Sequence, residues 1–170
     1  MDVDATSAER RLAELGIELP PPLPPFGDYV PAVRSGSQLW VGGHFGTRPD
    51  GSILTGKVGR DLTAEDALEA ARSAAVNLLA TVRAELGSLD QVDRVVRVYG
   101  VVNSAPDFIG QTAVIDAASA VLVSVFGERG RHARLAVGVA ALPGDLVLEV
   151  EAVLDVRAAE PTGGADRGER

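Results

Sequence analysis

From Leu146 to Val156 every even position is apolar (Leu146, Leu148, Val150, Ala152, Leu154, Val156), while Glu149, Glu151 and Asp155 put carboxylates among the odd ones. Period-two alternation of that length is a β-strand with one face in a core. The chain must therefore contain a sheet, and other elements must cover that face. The preceding segment, RLAVGVAAL from Arg134, also alternates, and Pro143, Gly144 and Asp145 between the two runs are turn residues. These features predict two final strands joined as a hairpin. With Leu135, Val137 and Val139 on the core face, Arg134, Ala136 and Gly138 share the opposite face with Glu149 and Glu151. A guanidinium, two carboxylates and a floor of small side chains then line one cleft.

The rest of the chain supplies the cover. Thr63 to Leu86 carries a broad apolar stripe through Ala67, Leu68, Ala71, Ala74, Ala75, Leu78, Leu79 and Val82, opened by Thr63 with Asp66 as a capping box and stopped by Gly87. A second helix is expected from about Gln111 to Phe126, and a short one from Thr6 to Leu15. Strands are expected in YVPAVRSG from Tyr29, with Pro31 marking an edge, in QLWVGGHFG, and in the β-branched run RVVRVYGVVN, where Val96, Val98, Gly100 and Val102 share one side. Between Gly16 and Tyr29 the proline-dense ELPPPLPPFGD reads as a stiff extended connector, with a PxxP partner motif as the alternative. The order β-β-α-β-α-β-β gives an α+β domain, a mixed sheet with two helices on one face. Its divisions are a helix and connector over 1–28, a domain over 29–157 and a disordered tail over 158–170.

Composition narrows the function. The chain of 170 residues has no cysteine, so disulfide frameworks and thiolate chemistry are excluded. Its net charge of −8 argues against a phosphate-tracking surface, so no nucleic-acid partner is expected. His44 and His132 are the only histidines, too few for a zinc site without carboxylates, and no metal or cofactor is expected. Lys57 is the only lysine; it reads as a solvated loop charge rather than a Schiff-base former. The N-terminus lacks a basic flank and an apolar core, and no apolar run approaches the roughly 20 residues of a membrane span. A cytoplasmic protein without a membrane partner is expected.

Two helices cover one face of a sheet only. The middle strand is apolar on both sides, so the second face needs a partner, and a further copy of the chain is the expected one.

The segments RHARLAVGVAALPGDLVLEVEAVLDV, FGDYVPAV and VYGVVNSAPDF, in that arrangement from about Tyr29 to Val156, resemble the YjgF family, also called the reactive intermediate deaminase (RidA) family. The resemblance implies a chorismate-mutase-like fold, a homotrimer and ligand clefts between neighbouring copies. It also implies hydrolysis of enamines and imines to 2-oxo acids and ammonia, with a small carboxylate or imino acid as ligand. The family's carboxylate-clamping arginine corresponds to Arg134, its water-positioning glutamate to Glu149 and its early tyrosine to Tyr29. Gly42, Ala136 and Asp116 stand where the archetype has a serine, a cysteine and an asparagine, which marks a divergent branch. Gly42, His44, Asp116, His132 and Ala136 complete the expected binding set, His132 at the cleft mouth. A non-catalytic ligand-binding or regulatory trimer is the alternative, and the ribonuclease label carried by some relatives is the third reading.

Overall fold

A computed structural model describes residues 7–158. Its elements are α1 (Ala8–Glu14), β1 (Ala32–Ser35), β2 (Gln38–His44), α2 (Ala64–Leu86), β3 (Val92–Asn103), α3 (Gln111–Phe126), β4 (Ala133–Val139) and β5 (Leu148–Val156). They form a five-stranded mixed sheet in the order β1-β2-β5-β3-β4, with α2 and α3 on one face.

Local chemistry sets the helices. Thr63 Oγ1 accepts from the Asp66 N–H while Asp66 returns a bond to the Thr63 N–H, the expected capping box, and Gly87 closes α2 in the left-handed region at φ 78°. All of α2's anticipated stripe is buried except Leu68, which is partly so. At the N-terminus Ser7 caps α1, the Ala8 N–H donates to Asp90, and Glu9 pairs with Arg83. Ala8 and Leu12 are buried in the common core, so α1 packs into the same body as the strands. Residues 159–170, nearly all of the expected tail, lie outside the described residues.

The C-terminal strands do not form a hairpin. β4 pairs in parallel with β3 through the α3 crossover, whereas β5 runs antiparallel between β2 and β3. β5 is thus the middle strand of the sheet, and its unbroken even face lies under the helices. β1, which follows Pro31, is an edge as expected.

The expected β4 register is also reversed. Arg134, Ala136 and Gly138 face α3, while Leu135, Val137 and Val139 face away from it. The cause is how closely the helix approaches: a Cβ on Gly138 would lie 2.7 Å from Gln111 Nε2, and one on Gly100 would lie 2.5 Å from Ile115 Cδ1. Small residues here admit a helix rather than open a cleft. In β3, irregularities at Asp93 and Val96 shift the alternation, so Val92, Val95 and Val98 all point inward, and Val95 no longer shares a side with Arg97.

The face opposite the helices is uncovered in the single chain. It carries Val33, Trp40, Tyr99, Leu135 and Val153, and Trp40 and Leu135 keep 51% and 46% of their surface exposed. Two other expectations need correction. Lys57 is tied down rather than solvated: its ammonium donates to Asn103 Oδ1 and the Ala140 carbonyl, pinning the approach to the 143–145 turn. The stretch Gln111–Gly130 does have the length and mean hydropathy, 1.2, of a candidate membrane span, but Val114, Ile115, Leu122 and Phe126 pack into the core of this fold.

Candidate functional site

On the uncovered face, β5 presents Glu149 beside a bulge in β2. There Val41 pairs with Ala152 and His44 with Val150, so Gly42 and Gly43 together oppose one residue of β5. A Cβ on Gly43 would lie 3.1 Å from Glu149 Oε1, so glycine makes room for the carboxylate. Glu149 forms one wall of a cavity of about 480 Å³, whose other walls include Phe26, Tyr29, Ile53, Thr55 and Gly144. Phe26 stacks on Phe45 at 5.3 Å, and its N–H donates to Tyr29 Oη at 3.1 Å, which fixes the phenol at the rim. Among the described residues no donor bonds the Glu149 carboxylate. Burial, and secondarily the charge of Glu151, push its pKa up. The single chain thus offers an apolar cavity with one underpaired carboxyl group.

A second polar cluster sits on the helix side of β4. Arg134 Nη1 donates to Asp116 Oδ1 and, at 3.1 Å, to Ser119 Oγ, both one turn apart on α3. His132 Nε2 lies 3.0 Å from the same Ser119 oxygen, and its Nδ1 lies 2.6 Å from the Gly130 carbonyl. Every bond recorded for Arg134 uses Nη1. The Nε–Nη2 edge, the side of the fork that grips a carboxylate through two parallel bonds, is uncommitted.

The two clusters do not meet within one chain. Val101 of β3 lies opposite both Glu149 of β5 and Val137 of β4, so Glu149 and Arg134 are two strands and three residues apart. At ordinary strand spacing and rise, their Cα atoms are roughly 14 Å apart, and their side chains point to opposite faces. Within one chain Arg134 is thus too far away to hold the Glu149 pKa down, and burial raises it.

Of the expected set, Tyr29 and Glu149 share the cavity, with Gly42 in the bulge beside it. Arg134, Asp116 and His132 form the second cluster, and Ala136 lies along β4 from it, packed on the core. His44 joins neither. It is 3% exposed on the α2 side, its Nδ1 against the Gly42 carbonyl and its Nε2 2.7 Å from Thr81 Oγ1, and burial lowers its pKa. Sequence reasoning passed over Ser119 and Gly43. Ser119 had a signal, since it stands three residues from Asp116 on a helix and so shares its face. Gly43 had none before the bulge placed it.

A sequence profile described as "YjgF/chorismate_mutase-like, putative endoribonuclease" matches residues 9–152. Protein TCP17 of Trypanosoma cruzi is 44% identical over 146 residues, 85% of this chain and 91% of that protein. A crystal structure of a protein of unknown function from Agrobacterium tumefaciens is 40% identical and superposes with a TM-score of 0.80 over 91% of this chain and 96% of its own. That coverage exceeds the span Tyr29–Val156, so the likeness extends into the N-terminal segment. A RidA structure from an Antarctic Psychrobacter is more distant, at 26% identity and a TM-score of 0.53 over 80% of this chain and 94% of its own.

Proposed function

Because the chain belongs to the YjgF/chorismate mutase-like family, we propose that it assembles as a homotrimer, binds a small carboxylate at clefts between copies, and hydrolyses enamine or imine intermediates there. One observation supports this reading: the uncommitted guanidinium edge of Arg134 and the underpaired carboxyl group of Glu149 lie on opposite faces of the sheet. A neighbouring copy docked on the apolar face would supply what each lacks.

In that cleft the free Nε–Nη2 edge of Arg134 grips the carboxylate of the ligand. Glu149 of the neighbouring copy, with its pKa raised by burial, gives a proton to the imine nitrogen and then, as carboxylate, orients the attacking water. Water adds to the carbon, the carbon–nitrogen bond breaks, and the products are a 2-oxo acid and ammonia. The test is release of pyruvate from enzymatically generated 2-aminoacrylate. Acceleration over buffer that is lost in Arg134→Ala supports the reading, and no acceleration by wild-type protein removes it.

A non-catalytic binding role is the second reading. It is favoured by Asp116, whose carboxylate already occupies Nη1 of Arg134, and by Gly42 and Ala136, which carry no polar side chain. Calorimetry that finds 2-oxo acid binding without turnover selects it. The endoribonuclease designation has least support: His44 is buried with both ring nitrogens engaged, and the net charge is −8.

A further inference from the structure

The second cluster contains more than a carboxylate clamp. His132 lies between the 127–130 turn and β4, with Nδ1 held 2.6 Å from the Gly130 carbonyl. A carbonyl can only accept, so Nδ1 carries the hydrogen and Nε2 of the neutral ring is bare. The partner of Nε2 is Ser119 Oγ at 3.0 Å, so the serine hydroxyl must donate to it. The same oxygen accepts from Arg134 Nη1 at 3.1 Å. An adjacent guanidinium favours negative charge developing on that oxygen. The charged groups facing this pair are Arg134 from β4 and Asp116 from α3. Burial lowers the pKa of His132, opposed by the Gly130 hydrogen bond and aided by the charge of Arg134, so the net effect favours the neutral ring.

A hydroxyl donating to a bare imidazole nitrogen, with the far nitrogen oriented by a third group, is the arrangement of an activated nucleophile. Ser119 and His132 are only partly buried, and Asp116 beside them is 64% exposed, so the cluster opens to solvent. We propose that Ser119 is a nucleophile and His132 its general base, accepting acyl groups from small esters whose own anionic group is held by the free edge of Arg134. The inference does not depend on Glu149 or on imine hydrolysis.

In the step, the Ser119 oxygen bonds to the acyl carbon and its proton passes to His132 Nε2. The carbon–oxygen bond to the alcohol breaks, and the departing alkoxide takes that proton. Water, deprotonated by the same nitrogen, then attacks the acyl-serine, releasing the acid and restoring the hydroxyl. A pair that merely braced Arg134 would form no such adduct.

The full chain is incubated with 4-nitrophenyl hemisuccinate, with 4-nitrophenyl acetate and with a fluorophosphonate, and peptides are mapped by mass spectrometry. The expected result is an adduct on Ser119 and a burst of one 4-nitrophenol per chain. The hemisuccinate should react about tenfold faster than the acetate because its carboxylate has a partner in Arg134. Ser119→Ala should abolish the burst, and His132→Gln, with unchanged circular dichroism, should slow it about 100-fold. No adduct on Ser119 of the wild-type chain overturns the proposal, whatever the variants do. An adduct that forms as fast in His132→Gln removes the histidine's role as base.

Discussion

Leu135 reports on the uncovered sheet face more directly than any residue in the candidate site. It keeps 46% of its surface exposed on β4, on the side away from α3, in line with Tyr99 of the neighbouring strand. Full burial of a leucine is worth about 2 kcal/mol, so covering the remaining half on assembly contributes about 1 kcal/mol per copy. Leu135→Asp removes that gain and adds the cost of desolvating an unpaired carboxylate, which brings the loss to at least about 2 kcal/mol per copy. Three copies lose roughly 6 kcal/mol, about four orders of magnitude in the association constant. The monomer should hardly notice, because an exposed position away from the core changes stability within about 0.5 kcal/mol. Sedimentation velocity at micromolar concentration should show wild-type trimer and Leu135→Asp monomer, with matching circular dichroism. A wild-type monomer, or a variant that sediments as the wild type does, would refute the argument that this face is covered by further copies.

Other outcomes follow from particular contacts. The raised pKa of Glu149 makes its ionisation unfavourable to the fold: the native state holds the proton to higher pH than the unfolded chain, so stability falls as pH rises from the ordinary carboxylate range through the native pKa. Glu149→Gln should therefore raise the melting temperature at pH 7 and lose that advantage below pH 4, as followed by thermal melts across pH. Gly100→Val should cost about 1–3 kcal/mol in urea unfolding, because its first side-chain carbon alone meets Ile115 at 2.5 Å; a neutral result would deny the close seating of α3. Asp116→Asn should tighten 2-oxo acid binding by about fivefold in calorimetry, since it releases Arg134 from an exposed ion pair and removes a competing charge. Weaker binding in that variant would mean that Asp116 helps to hold the ligand.

What the sequence revealed was governed by neighbours along the chain. The capping box at Thr63 and Asp66, the left-handed Gly87, the bounds of α3 and the edge position of β1 after Pro31 all rest on residues a few positions apart. The apolar alternation of β5 was equally plain, and so was the second apolar face. The place of β5 between β2 and β3 was hidden, because strand order is decided by pairings between residues far apart in sequence. On β4 the larger residues suggested the core side, but α3 comes so near Gly100 and Gly138 that only small residues fit beneath it. That reversal moved Arg134 away from Glu149 and exposed its contact with Ser119. Family resemblance singled out both charged residues, while strand register read from sequence alone placed them on one face of one chain, where the structure has them on opposite faces.

The proposed site is divided between copies, and subunit mixing tests that division. Arg134→Ala and Glu149→Ala proteins, each without 2-aminoacrylate hydrolysis alone, are unfolded together in equal amounts and refolded. In a cyclic trimer whose sites take Arg134 from one copy and Glu149 from the next, random mixing restores about a quarter of the sites, and activity should return to that level. Mixtures as inactive as either parent, in hybrids confirmed by native mass spectrometry, would contradict the shared site.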